Sequence, residues 1–80
     1  MQVQVKVFAA LQRYAPEGQG AGTPFTVEMA DGSTLADLGA ALRIRANEIK
    51  VAFVNGRARA EVYRLKDGDE VGFFPPVGGG

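Results

Sequence analysis

The sequence predicts an α+β fold in which a mixed sheet is covered on one side by a single main amphipathic helix, with a short additional helix beside it. Three observations predict this. Val3, Val5 and Val7 alternate with Gln2, Gln4 and Lys6 at the start, Leu35, Leu38 and Leu42 form a stripe in the middle, and Glu70-Val71-Gly72-Phe73-Phe74 reads as a strand near the end. A period of two at both ends with a helical period between them is the pattern of strands wrapped around one helix. The 80 residues make one compact unit, below the ~100–200 residues of an ordinary domain. At this size folding hides only about 60% of the unfolded surface, so every large apolar side chain has to be placed.

The opening strand is branched and apolar on one face and polar on the other, so one side of it is buried. Phe8 leads into Ala9-Ala10-Leu11-Gln12-Arg13-Tyr14-Ala15, which is rich in helix formers. Pro16 and the glycines at 18, 20 and 22 end that short helix and predict a pliant loop. Phe25-Thr26-Val27-Glu28-Met29 alternates again, and Asp31-Gly32 supplies turn chemistry. Ser33 and Thr34 are both capping types, and Thr34 with Asp37 three residues on matches a capping box. The leucine stripe then carries the main helix to near Ile44. Ile49 to Val54 is strand-like and runs into Asn55-Gly56, whose ease at positive φ favours a two-residue hairpin and a return strand from Arg57 to Val62. Asp67-Gly68-Asp69 turns the chain into the closing strand, which Pro75-Pro76 terminate for want of amide donors.

Nine basic residues balance nine acidic ones, leaving none of the positive field that nucleic acid binding requires. With no cysteine there is no disulfide staple, thiolate metal site or thiol nucleophile, and with no histidine the commonest general base is missing. Ser33 is the single serine and lies at a helix start, so a hydrolytic triad cannot be assembled. Gly18, Gly20 and Gly22 lack the spacing and the Lys-Ser/Thr of a phosphate loop. Asp67, Asp69 and Glu70 lack the ligand count of a calcium loop, so no metal site is expected. Arg57, Arg59, Arg64 and Lys66 read as a solvated edge that discourages strand pairing, with docking of an acidic partner as the lesser reading. No apolar run nears the ~18 residues of a membrane helix and no basic-then-apolar leader opens the chain, which points to the cytoplasm and to neither membrane nor nucleic acid as partner.

The carboxyl end departs from what a fold alone demands. The expected division is a domain over 1–76 and a flexible tail over 77–80. Gly79 and Gly80 have no Cβ, so the tail is slim enough for a narrow channel and tolerates positive φ beside another protein's reactive atoms. Fixing a backbone residue costs ~1–2 kcal/mol, so ordering Val77 to Gly80 costs roughly 4–8 kcal/mol that contacts elsewhere must offset. Phe74 and Val77 are candidates, since burying one such side chain contributes ~1.5–3 kcal/mol. Pro75-Pro76 form a stiff stem with little freedom to lose. Terminal glycines are often only frayed ends and paired phenylalanines are often core, but prolines between the two on a catalytically empty body favour a presented tail.

These residues resemble a known family. Asp67-Gly68-Asp69-Glu70-Val71, Phe73-Phe74-Pro75-Pro76-Val77 and Gly79-Gly80 look like the MoaD-type small subunit of molybdopterin synthase, of the MoaD/ThiS ubiquitin-like sulfur carriers. Weaker similarity runs through Phe8-Ala9, Asp31-Gly32-Ser33-Thr34-Leu35 and Val54-Asn55. The resemblance implies the ubiquitin-like β-grasp fold, with first and last strands parallel at the sheet centre. It implies that the Gly80 carboxylate is adenylated with ATP by a MoeB-type, E1-like enzyme, becomes a thiocarboxylate through a sulfur donor system, and passes sulfur to cyclic pyranopterin monophosphate in a MoaE-type large subunit. No cofactor is held permanently and no catalytic side chain is its own. By the same resemblance Phe8, Phe74, Pro75, Pro76, Val77, Gly78 and Gly79 bind partners. Ala58 stands where the family usually has leucine, and Gly78 where it often has Thr, Ser or Ala. Alternatives are a carrier for thiamine thiazole or tRNA thiolation, and a ubiquitin-like protein modifier.

Overall fold

The computed structural model describes residues 1–17 and 22–76. Among them a five-stranded sheet is formed by β1 (Gln2–Val7), β2 (Phe25–Glu28), β3 (Val51–Val54), β4 (Arg57–Arg59) and β5 (Glu70–Phe74), in the order β2-β1-β5-β3-β4. β1 and β5 run parallel, with Val5 opposite Val71 and Val7 opposite Phe73, and the other pairings are antiparallel. The expected α+β fold with parallel first and last strands at the centre is the fold observed. One helix, α1 (Leu35–Ala41), and two short 3-10 helices, at Ala9–Tyr14 and Ala46–Glu48, complete it.

The core lies between α1 and one face of the sheet. Val3, Val5 and Val7 of β1, Val71 and Phe73 of β5, Ala52 and Val54 of β3 and Phe25 of β2 meet Leu35 and Leu38 of α1, with Leu11, Ile44 and Leu65 closing the sides. Strand alternation separates the two adjacent phenylalanines: Phe73 is 1% exposed in this core, whereas Phe74 points to the uncovered face.

Several boundaries differ from the sequence expectation, each for a backbone reason. The expected Thr34–Asp37 capping box is present, the Thr34 hydroxyl accepting from the Asp37 amide and the Asp37 carboxylate from the Thr34 amide, whereas Ser33, also expected to cap, donates its hydroxyl to the Ala30 carbonyl instead. The helix ends at Ala41 rather than near Ile44. Arg43 takes φ 65°, its amide donates to the Ala40 carbonyl and the Ile44 amide to the Gly39 carbonyl, a Schellman closure built without the usual glycine. Ile44 is therefore in the core as a post-helical residue. The expected short helix over this segment is present as a 3-10 helix and closes with the Ala15 amide on the Gln12 carbonyl. The return strand stops at Arg59 instead of Val62, because Glu61 and Tyr63 turn their carbonyls to the Ala36 and Leu35 amides at the open start of α1. β2 ends one residue early, although the Met29 amide still donates to the Met1 carbonyl. β3 begins at Val51, and residues 46–48 form the unexpected second 3-10 turn.

Asn55 and Gly56 both adopt positive φ, 52° and 84°, as the two-residue hairpin requires. Asn55 also ties that turn to the start of β5. Its side-chain amide donates to buried Asp69 at 2.9 Å, and its side-chain oxygen accepts from the Glu70 amide at 2.9 Å. Asp69 in turn accepts from the Lys66 amide, while Asp67 accepts from the Gln2 amide and the Gly68 amide donates to the Gln2 carbonyl. The Asp67-Gly68-Asp69-Glu70 motif is thus a clip joining β1, β5 and the hairpin. Replacing Asn55 by Asp would remove the donor and set two carboxylates against each other, so N55D is expected to lose about 1–3 kcal/mol of stability, read from urea unfolding.

Candidate functional site

The side of the sheet facing away from α1 carries the candidate site. Phe8 extends β1 in an extended conformation, Phe74 ends β5, and the parallel pairing of those strands brings both residues to the same end. Their rings stack with centroids 4.3 Å apart and planes within 5°. Phe53 of β3 meets Phe74 edge-on, at 5.5 Å and 82°. All three are half-buried with no helix above them. They line a concavity of about 590 Å³ together with Gln4, Lys6 and Gly72.

Two glycines adjoin the Phe8 ring, and only Gly22 is crowded by it. Gly72 lies on β5 beneath the stack, and a Cβ there would come within 3.5 Å of Phe8 and 3.6 Å of Phe74. Gly22, at φ 70°, donates its amide to the Val7 carbonyl and sits so close to Phe8 that a Cβ would be 3.2 Å from the ring. The glycine-rich segment therefore contains one position with a defined packing role, which loop chemistry alone did not reveal. Gly18 and Gly20 lie outside the described residues.

β5 makes its last ladder contact where the Lys50 amide donates to the Phe74 carbonyl at 2.7 Å. Pro75 and Pro76 follow, half-buried and exposed, with no amide hydrogens to continue the sheet. The chain thus leaves the sheet directly beside the phenyl stack. Val77, Gly78, Gly79 and Gly80, expected to form the tail, lie outside the described residues. Of the expected partner-binding residues the structure brings together Phe8, Phe74, Pro75 and Pro76 at one end, and adds Phe53, which reasoning from the sequence assigned only to a strand.

Other candidate groups are engaged by the fold. Asp67 and Asp69 accept backbone and amide hydrogens, and no group of three or more acidic, His or Cys side chains that could hold a metal occurs among the described residues. Arg59 lies over the Tyr63 ring and Arg64 donates to the Gly32 carbonyl, while Arg57 and Arg59 line the exposed edge strand β4. At the exit end, Arg13 pairs with Glu48 and the Tyr14 hydroxyl donates to Glu48 at 2.6 Å, joining the two 3-10 turns. The Tyr14 hydrogen bond, then the Arg45 amide and the Arg13 charge, hold the Glu48 carboxyl below its ordinary value.

The model of the ThiS family matches residues 5–80. The chain belongs to the ThiS family. It is accordingly a ubiquitin-like protein of the ThiS/MoaD sulfur carriers. Among solved structures it is similar to the Pyrococcus furiosus protein assigned as subunit 1 of molybdopterin converting factor, with 32% identity over 95% of this chain and 98% of that one and a TM-score of 0.70. It is similar to small archaeal modifier protein 1 of Haloferax volcanii, with 26% identity over 95% of this chain and 98% of that one and a TM-score of 0.73. Subunit 1 in the complex of subunits 1 and 2 of molybdopterin-converting factor from Helicobacter pylori shares the fold, with 23% identity over the whole of both chains and a TM-score of 0.62. No curated protein matches the chain. No helix among the described residues is long and apolar enough to cross a membrane.

Two outcomes follow for this end of the molecule. Truncating the stack by Phe8→Ala and Phe74→Ala, singly and together, should give a coupling energy of about 0.5–1.5 kcal/mol in a double-mutant cycle of unfolding, with the fold retained because both rings lie outside the core. Glu48, with its folded value lowered, binds its proton less readily folded than unfolded, so its contribution is complete above the ordinary 4.5 and is lost as pH falls through the lowered value. The melting-temperature gap between wild type and Glu48→Gln should therefore be present at neutral pH and close in acid.

Proposed function

We propose that this chain is a MoaD-type sulfur carrier, the small subunit of a molybdopterin synthase, and that its Gly80 carboxylate carries the sulfur delivered to cyclic pyranopterin monophosphate. The observation that carries this reading is the exit of the chain through Pro75-Pro76 immediately beside the half-buried Phe8–Phe74 stack. A docking surface and a tail stem share one end of a body whose Asp67 and Asp69 carboxylates are engaged in holding the fold. The similarity to subunit 1 of molybdopterin converting factor supports the choice of pathway.

The chemistry follows from the weakness of a carboxylate as an electrophile: neither oxygen leaves unaided. On a MoeB-type activating enzyme a Gly80 oxygen attacks the α-phosphorus of ATP and pyrophosphate departs. Sulfide-level sulfur from the donor system then adds at the acyl carbon as the nucleophile and AMP leaves with the carboxylate oxygen, giving the thiocarboxylate with no change of oxidation state. The carrier next docks on a MoaE-type subunit, where Gly78 and Gly79 offer no side chain to obstruct entry. Fixing the backbone of 77–80 in the partner costs roughly 4–8 kcal/mol, and the partner offsets it by finishing the burial of the exposed parts of Phe8 and Phe74 and by contacts to the Val77 side chain. The proline stem keeps that cost from growing.

Incubation with the cognate activating enzyme, ATP and a sulfur donor should shift the intact mass by one oxygen-to-sulfur exchange, and removal of Gly79-Gly80 should abolish the shift. An unchanged mass with a demonstrably active partner would overturn the reading. The likeness to small archaeal modifier protein 1 favours a second reading, attachment of Gly80 to substrate lysines, and isopeptide-linked species in place of thiocarboxylate would establish it. Growth of carrier-deficient cells separates the molybdopterin pathway from thiamine thiazole or tRNA thiolation.

A further inference from the structure

We infer that Phe53 is a third aromatic contact on the face that receives the large subunit, supplying from β3 the apolar bulk that Ala58 on β4 lacks. The inference rests on the proposed function, and deepens it by naming a residue that shapes partner choice. The β3–β4 register sets Phe53 directly opposite Ala58, so both side chains project from the uncovered side of the sheet. Ala58 is exposed and offers only a methyl group, whereas the Phe53 ring stands edge-on against Phe74 and lines the same concavity as Phe8 and Phe74. The apolar patch therefore runs from the ends of β1 and β5 across to Phe53 within β3, opposite Gly72, and stops at β4.

Continuity selects the occupant. Phe53 touches the ring of Phe74, the residue from which the tail departs, so a partner that covers the stack while taking the tail also covers Phe53. Val62, 76% exposed, is the contrasting case: it stands apart in the connection after β4 and lines no part of this concavity. The partner surface that fits presents a recess for the Phe53 ring and an apolar side chain reaching over Ala58 toward β4. A leucine at position 58 would occupy that space.

Titration calorimetry of the full chain against its cognate large subunit tests this. F53A should weaken binding by about tenfold or more, as truncation of a central aromatic anchor does, while V62A leaves it unchanged. A58L should weaken binding by filling the space beside the ring. Urea unfolding shows whether each variant is folded; if F53A is not, F53L, which keeps the bulk and loses the ring, should still weaken binding by about threefold or more. Affinity of folded F53A or F53L equal to wild type would overturn the assignment and leave the carrier reading intact. Failure of the wild-type chain itself to bind would overturn both. Sedimentation showing that the free chain dimerises through Phe53, with partner affinity unchanged in F53A, would overturn it by assigning the ring to a second copy.

Discussion

The parallel pairing of β1 with β5 is the constraint on which the rest depends. Two parallel neighbours cannot be joined by a tight turn, so the remaining chain becomes the crossover between them and has to cover one face of the sheet on its way. α1 does this with Leu35 and Leu38 over Val3, Val5, Val71 and Phe73. The same pairing makes both strands finish at one end. Phe8 and Phe74 are brought side by side there without any contact having to search for its partner, and the stem leaves from the same place.

That geometry divides labour between the two faces. The helix side buries branched and aliphatic residues and supplies the stability. The other side keeps aromatic rings half-covered, with the Phe8 ring packed closely against Gly22, where a side chain would crowd it. Holding the second set of strands in register is the task of Asn55, which serves as a turn residue and as a bridge to Asp69 and Glu70 at once. The short amide donates from Nδ2 and accepts at Oδ1, two separate atoms that reach Asp69 and the Glu70 amide at once, which suits asparagine to the position independently of its tolerance for positive φ.

Much of this was legible in the amino acids, and the exceptions have a common cause. Strand positions followed from alternation, the capping box from Thr34 and Asp37, and the hairpin from Asn55-Gly56, all local signals. The end of α1 was not legible because Arg43 takes the left-handed position that glycine usually marks. The short β4 was not legible because its end is decided by carbonyls recruited to the distant start of α1. At the candidate site, Phe74 is marked by the prolines and glycines that follow it and Phe8 by the family resemblance alone, while Phe53 looks like any strand residue. Only cross-strand register tells which face a phenylalanine joins.

The outer strands of the sheet are four and three residues long, and the shorter one carries Arg57 and Arg59. Such margins give a neighbouring molecule little backbone to align with and meet its approach with like charge. Many copies of this small protein can therefore accumulate side by side without growing into ribbons through their sheet edges.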